Sequence, residues 1–334
     1  MIFKYNYISH KAEKLQELAK HIVIDIWCKS QGKNFTLTKI KVENDFRKKV
    51  KDTPVYLLKP IHKIFKICSK FDNRKIAYIK EAFNKNNQIE ELCKNTISPI
   101  FYEDLEINTS KEFSEEVKLF FNDLYKIVFN QSAFEINKHY DEFFKNNRRL
   151  CPFCGLETLE KDSSNHRDAY DHYLPKDEYP FNAVNLKNLF PMCNKCNTKW
   201  KKIKNPIKDT VSKKAFYYYG TTEPQFEVEV EIINTDLMNF DVKIRLNSNT
   251  MQDEVDTWNR LFNLSRRYKD DYICHEEFGI SWIKKIYSNK KRAESIGKEY
   301  DIEQEIWGLE ENLIANQNFL RIPFFNACKK ENII

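Results

Sequence analysis

The sequence predicts an α+β protein with three regions. Over most of residues 1–149, apolar residues recur with the 3.6-residue period of a helix. Residues 150–209 contain two Cys-x-x-Cys pairs, a spacing that binds metal and can organise a small module. Residues 210–334 begin with segments that alternate strictly between apolar and charged residues and then return to helical patterns. The expected fold is a helical N-terminal domain, a central metal-bearing module, and C-terminal strands followed by helices.

Composition indicates a soluble globular protein. The chain has 334 residues, of which 41% are hydrophobic and 31% charged, enough for two or three cores. Its net charge of +6 permits binding to nucleic acid without requiring it. The sequence has neither a signal-peptide pattern at its start nor an apolar run that could span a membrane. We therefore expect a cytoplasmic protein, in which paired cysteines are better read as metal ligands than as disulfides.

The N-terminal region predicts a helical bundle. One apolar helical pattern runs from Lys11 to Cys28, and another resumes after Pro60. A third follows Thr109–Glu112, which has the spacing of a capping box. The aromatic stripes on these helices indicate a core, and the alternative is a surface that docks a partner or DNA.

The C-terminal region predicts strands and then helices. We expect strands at Ala215–Tyr219, Phe226–Ile232 and Phe240–Leu246, and the facing charges of the last two suit an antiparallel pair. From Gln252 onward the pattern is helical. Three tryptophans are assigned to the core of this part: Trp258, Trp282 and Trp307.

The central region carries four cysteines with the spacing of a zinc site, C-x2-C-x38-C-x2-C. They are Cys151, Cys154, Cys193 and Cys196. Two thiolates from each pair complete a tetrahedral site of four sulfur ligands. Such a site has no open coordination position, so the zinc is expected to hold the fold and to take no part in chemistry.

Between the two pairs lies Asp171-His172, a dipeptide suited to phosphodiester hydrolysis. A carboxylate binds a hard divalent ion such as Mg²⁺ or Mn²⁺, and an imidazole can take a proton from water near neutral pH. By itself such a dipeptide more often marks a surface turn.

Together with Asn188-Leu-Phe-Pro-Met-Cys193 and Cys196-Asn197-x-Lys199, this dipeptide resembles the zinc-bearing form of an HNH endonuclease of the ββα-metal class. The resemblance covers residues 150–209 and implies a ββα fold there. It also implies that His172 is the general base and that Asp171 and Asn197 bind one catalytic Mg²⁺ or Mn²⁺. Asn188 would hold the loop that bears His172. Asn197 stands where many members of the family carry His.

Other residues near the motif have two interpretations. The lysines of the second Cys pair would contact the phosphate backbone from a helix that continues to Lys204, or they form a solvated helix face: Lys195, Lys199, Lys201, Lys202 and Lys204. His166 is a candidate second contact to metal or phosphate, or an ordinary loop histidine. Asn185 is a second candidate for the role given to Asn188.

Three functions remain open at this point. The first is a metal-dependent DNA endonuclease. The second is a non-catalytic zinc module that binds nucleic acid or protein, and the third is an RNase that uses the same site. The run from Asp171 to Lys176, followed by Tyr179-Pro180, also resembles effectors of bacterial anti-phage defence, which often act beside an ATPase subunit. The sequence has no phosphate-binding loop of the G-x-x-x-x-G-K-[ST] form, so any ATP dependence would come from another chain.

Overall fold

A computed structural model describes residues 2–35, 57–129, 135–160, 168–208 and 213–334. His166 lies outside the described residues. The described part of the chain contains many helices and two small antiparallel sheets, with a helical N-terminal region and C-terminal strands followed by helices. These features confirm the α+β fold class.

The helices of the N-terminal region follow the apolar patterns of the sequence. The α-helices described there are α1 Glu13–Lys20, α2 Leu58–Cys68, α3 Asn73–Asn86, α4 Ile89–Cys93, α5 Tyr102–Asn108, α6 Lys111–Asp123 and α7 Ile136–Asn146. Wider π-type turns continue α1 over His21–Ile26 and α6 over Leu124–Phe129. The Ser110 side chain caps α6 by accepting a hydrogen bond from the Phe113 amide at 3.2 Å. The cap is therefore one residue later than the capping-box pattern suggested.

The predicted antiparallel pair is present in the C-terminal region. Strand β3, Glu227–Asn234, pairs with β4, Asp241–Asn247. The two earlier strands, β1 Tyr170–His172 and β2 Leu189–Pro191, belong to residues 150–209, here called the central segment. Arg245 on β4 forms ion pairs with Glu229 and Glu231 on β3, at 3.2 and 2.6 Å. The helices that follow are α8 Gln252–Phe262, α9 Leu264–Tyr268, π-type Lys269–Ile273 and Glu276–Ile280, α10 Ser281–Ser295, α11 Ile302–Glu310, 3₁₀ Ala315–Gln317 and α12 Asn318–Lys330.

Two expectations for this region were wrong. Residues 215–219 form no strand, because their backbone bonds go to separate segments: the Ala215 amide to the Cys93 carbonyl, and the Tyr218 carbonyl to the Tyr5 amide. The aromatic side chains of this segment therefore reflect burial and do not indicate pairing in a β-sheet. Trp307 is 63% exposed, although Trp258 is buried as predicted. Successive residues of a helix lie about 100° apart, so burying Ile306 turns its neighbour Trp307 outward.

The buried apolar residues form two clusters, and the central segment contributes to both. One cluster contains residues of most N-terminal helices together with Tyr170 and Leu189 of the central segment. The other contains the four paired cysteines, strand β4 and the C-terminal helices. The central segment is thus packed between the two larger regions. Within the described ranges, no helix combines the length and the apolar character needed to cross a membrane.

Candidate functional site

The central segment contains a short hairpin followed by a helix. Strand β1, Tyr170–His172, pairs antiparallel with β2, Leu189–Pro191, and places Asp171 opposite Phe190. The π-type helix Lys195–Lys201, here called the site helix, begins a few residues after β2. It ends before Lys202, whose backbone angles, φ +50° and ψ −122°, do not fit a helix. The prediction that the helix continues to Lys204 was therefore wrong, and the order of elements is ββα.

The two Cys pairs come together in a buried cluster. The four Sγ atoms all lie within 4.8 Å of one another, and those of Cys154 and Cys193 are 4.0 Å apart. In a tetrahedral site with Zn–S bonds of about 2.3 Å, sulfur atoms lie roughly 3.8 Å from each other. The spacing and the all-thiol donor set fit this geometry, so the cluster could hold a zinc ion.

The chain around the first Cys pair, Cys151 and Cys154, forms a tight turn. The Gly155 amide donates to the Cys151 carbonyl at 2.8 Å, with Gly155 at φ +69°. A side chain there would be strained, and its Cβ would lie 2.7 Å from Ile2. Trp258, in the C-terminal region, donates its indole N–H to the Phe153 carbonyl at 2.7 Å. Distant segments therefore hold the turn from outside.

Arg267 lies against the cysteine cluster. Its side chain is buried, with Nη1 3.5 Å from Cys196 Sγ and the guanidinium 5.5 Å from the centre of the Trp200 ring. The next residue, Tyr268, donates its hydroxyl to the Cys154 carbonyl at 2.9 Å. Helix α9 thus brings a positive charge to a cluster whose thiolates would be negative in a metal-bound state.

Asp171 is buried and paired with a lysine of the site helix. Its Oδ2 lies 2.8 Å from Lys201 Nζ, and the two side chains are 6% and 1% exposed. The same ammonium donates to the His172 carbonyl at 2.9 Å. Burial raises the pKa of Asp171, and the Lys201 charge opposes that rise. The pair ties the last turn of the site helix to strand β1.

His172 is half-buried at the end of β1. Its Nε2 lies 2.8 Å from the Ala183 carbonyl oxygen, which can only accept, so Nε2 carries the hydrogen and Nδ1 keeps a lone pair. Tyr125 of the N-terminal region packs edge-to-face on the ring, with centroids 4.3 Å apart. Burial, together with the charges of Lys176 and Lys201, lowers the pKa of His172 to about 3. The imidazole is therefore neutral at pH 7 with a lone pair on Nδ1, and burial disfavours its protonated form.

Asn188 holds the chain that follows His172. Its side chain accepts from the Leu174 amide at 2.8 Å and donates to the Leu174 carbonyl at 2.9 Å. Its own carbonyl accepts from the Tyr173 amide at 3.0 Å. Asn185 instead caps the short helix Leu186–Asn188. The residue in contact with the His172 loop is thus Asn188.

The remaining predicted residues lie on or after the site helix. Asn197 is half-buried and lies four residues before Lys201, about one turn away. Four of the five lysines are exposed, namely Lys195, Lys199, Lys202 and Lys204, and Lys195 pairs with Glu157 at 2.7 Å. Lys201 differs from these four lysines because it is buried and paired with Asp171.

Comparison with known proteins gives one distant likeness. The chain is 26% identical to Septu protein PtuB of Bacillus thuringiensis over 194 residues, which cover 48% of this chain and 75% of PtuB. No family model matches the chain. No solved structure matches it at a significant level.

Sequence reasoning missed several contacts of this site. The sequence did contain a signal that Lys201 lies at the site. Lys201 follows Asn197 by four residues, and residues four apart lie on the same side of a helix. Arg267, Tyr125 and the Ala183 carbonyl had none, because they reach the site from other parts of the chain.

Proposed function

We propose that this protein is a metal-dependent HNH-type endonuclease that hydrolyses phosphodiester bonds, most readily in DNA. The observation that carries the proposal is the state of His172. Its Nε2 hydrogen is engaged by the Ala183 carbonyl, which leaves Nδ1 as the basic nitrogen, and Asp171 is the preceding residue of strand β1. The ββα order of the surrounding elements and the side-chain bonds of Asn188 support the same assignment.

In this proposal His172 Nδ1 takes a proton from a water molecule, whose oxygen attacks phosphorus. The bond from phosphorus to the 3′ oxygen breaks, and the leaving oxygen takes a proton from solvent water, which gives a 5′-phosphate and a 3′-hydroxyl. Asp171 and Asn197 offer a carboxylate and a carboxamide oxygen, a donor set that suits Mg²⁺ or Mn²⁺. When bound, such an ion supplies positive charge to the phosphate and to the leaving oxygen. Asn188 keeps the segment after His172 in place, so that the imidazole is already oriented.

We further propose that the four cysteines hold a structural zinc ion. Cys196 lies in the first turn of the site helix, and the next amide, that of Asn197, donates to the Cys193 carbonyl at 3.0 Å. The cluster therefore sets the start of the helix that carries Asn197 and Lys201. Zinc would organise the catalytic residues without contacting the substrate.

Arg267 is expected to stabilise the bound zinc. Replacing it with methionine removes the positive charge beside Cys196 while retaining a long apolar side chain, and we expect zinc release to a chelator to become about 10-fold faster. The control is Arg266→Met, because that neighbouring arginine is 70% exposed and pairs with Asp270. Equal release rates from wild type and Arg267→Met would contradict this role.

The likeness to Septu protein PtuB supports a role in anti-phage defence. In such a role the protein would act with a partner subunit of the same system, and an ATPase is the partner that the sequence resemblance implies. The exposed lysines Lys195, Lys199, Lys202 and Lys204 would contact the phosphates of DNA.

A non-catalytic zinc module that binds nucleic acid or protein is the second candidate function. The observation that favours it is the Lys201 ammonium, which already neutralises the carboxylate that a catalytic ion would need. The two candidates differ in whether Asp171 and His172 are needed for anything beyond folding.

A cleavage assay distinguishes them. Zinc-loaded wild type is incubated with supercoiled plasmid, single-stranded DNA and RNA, each with Mg²⁺ or Mn²⁺. We expect nicked or linear plasmid whose ends ligate without prior phosphorylation, which requires a 5′-phosphate and a 3′-hydroxyl. Folded protein that binds DNA but leaves every substrate intact would favour the non-catalytic module, and cleavage confined to RNA would identify an RNase.

A further inference from the structure

The ammonium of Lys201 is held by two oxygens of the kinds that bind hard cations. One is the carboxylate Oδ2 of Asp171, at 2.8 Å, and the other is the backbone carbonyl of His172, at 2.9 Å. Carboxylate and carbonyl oxygens are common ligands of Mg²⁺ and Mn²⁺. The lysine is 1% exposed, so this contact is built into the packing of the site and is not a surface ion pair.

Burial makes a positive charge beside the ionised Asp171 carboxylate favourable. Asp171 is buried, and an ionised carboxylate out of water needs a partner of opposite charge. Lys201 supplies one charge when no divalent ion is present. A divalent ion on the same oxygen would lie within a few ångströms of the ammonium, where like charges in a poorly solvated site repel strongly. One of the two cations must therefore leave when the other is bound.

The backbone places Lys201 where it can leave without disturbing the cysteine cluster. Lys201 is the last residue of the site helix, whereas Cys196 is near its first turn. The chain breaks from helical geometry at Lys202, and residues 202–204 are exposed. Movement of this end would free Asp171 while the end near the cysteines stays in place.

We infer that Lys201 is an internal competitor for the divalent ion, occupying the Asp171 carboxylate and so controlling the cation affinity of the site. The inference rests on the proposed function, in which Asp171 is a metal ligand. It assigns Lys201 a role that differs from contact with the phosphate backbone. Mg²⁺ or Mn²⁺ would bind wild type weakly, because binding must first displace the ammonium.

The test is a titration of zinc-loaded protein with Mn²⁺ in the absence of nucleic acid, followed by calorimetry or electron paramagnetic resonance. We expect Lys201→Met to bind Mn²⁺ at least 10-fold more tightly than wild type. The control is Lys269→Met. Lys269 also pairs with an aspartate, Asp241 of strand β4, at 2.6 Å, and its replacement should leave Mn²⁺ affinity unchanged. Adding Asp171→Asn to Lys201→Met should abolish the tight site.

Lys201→Gln keeps a hydrogen-bond donor for the His172 carbonyl without the charge, and it replaces the methionine variant if that one does not fold. Mn²⁺ affinity that is equal or weaker in the folded variant, or no measurable binding in either protein, would overturn the inference. Failure of the proposed function has a different signature. In that case wild type cleaves no substrate, although Mn²⁺ affinity still rises when Lys201 is replaced.

Discussion

Replacing His172 by alanine is expected to slow phosphodiester cleavage by at least about 100-fold, the range of a lost general base. The Nδ1 lone pair disappears with the ring that the Ala183 carbonyl orients. The side chain is half-buried and contacts Tyr125, so the variant loses some packing but keeps the Asn188 bonds that order the loop. The rate of plasmid nicking under single-turnover conditions measures the effect.

The matched control for this experiment is His62→Ala. His62 is also half-buried and stacks on Phe35, with ring centroids 4.8 Å apart, in the N-terminal region. Its loss should cost a comparable amount of packing and leave the cleavage rate within a few-fold of wild type. If His172→Ala, folded and zinc-loaded, cleaves at the wild-type rate, His172 is not the base and the proposed mechanism fails.

Cys196→Ser is expected to lose zinc and, with it, cleavage. Structural zinc sites contribute on the order of 10–16 kcal/mol of binding free energy, which is also folding free energy of the module. Serine is a poor zinc ligand, and the loss falls in the first turn of the site helix, directly before Asn197. The ion pair between Lys201 and Asp171 holds the site helix against strand β1, and we expect this alignment to be lost as well. Zinc content, thermal unfolding and cleavage rate measure the three effects.

Cys274→Ser is the control, because Cys274 is half-buried and lies outside the four-cysteine cluster. It should retain zinc and full activity. A Cys196→Ser protein that has no zinc yet cleaves at the wild-type rate would count against a structural role for the cluster. Retention of zinc in that variant would show that the other three thiols suffice.

Local patterns explain why parts of this protein could be predicted. The C-x2-C spacing places both thiols of a pair on one side of a tight turn, so each half of the cluster was encoded locally. The alternation of Glu and apolar residues in β3, matched by Lys and Arg in β4, likewise specified which face is buried and which strand lies opposite. The general order of helices and strands followed from the same periodicities.

Burial of individual residues was decided by contacts between distant segments. Lys201 belongs to a lysine-rich stretch whose composition suggests exposure to solvent. The packing of the site helix on β1 instead brings its ammonium to Asp171. Arg267 reaches Cys196 across 71 positions of the sequence, and Tyr125 reaches His172 from the N-terminal region. Residues 215–219 have the composition of a strand but become a largely buried irregular segment, because their backbone hydrogen bonds go to separate segments of the chain, near Cys93 and Tyr5.

The sequence by itself therefore determined the types of group at the site: four thiols, a carboxylate, an imidazole and two carboxamides. Tertiary structure alone decided the state of those groups, including the neutral His172 whose Nε2 hydrogen bonds to Ala183 and the Asp171 carboxylate paired with Lys201. The physical reason is that residue type and local spacing are properties of the chain. Desolvation and charge pairing, in contrast, depend on which remote segments exclude water around each group.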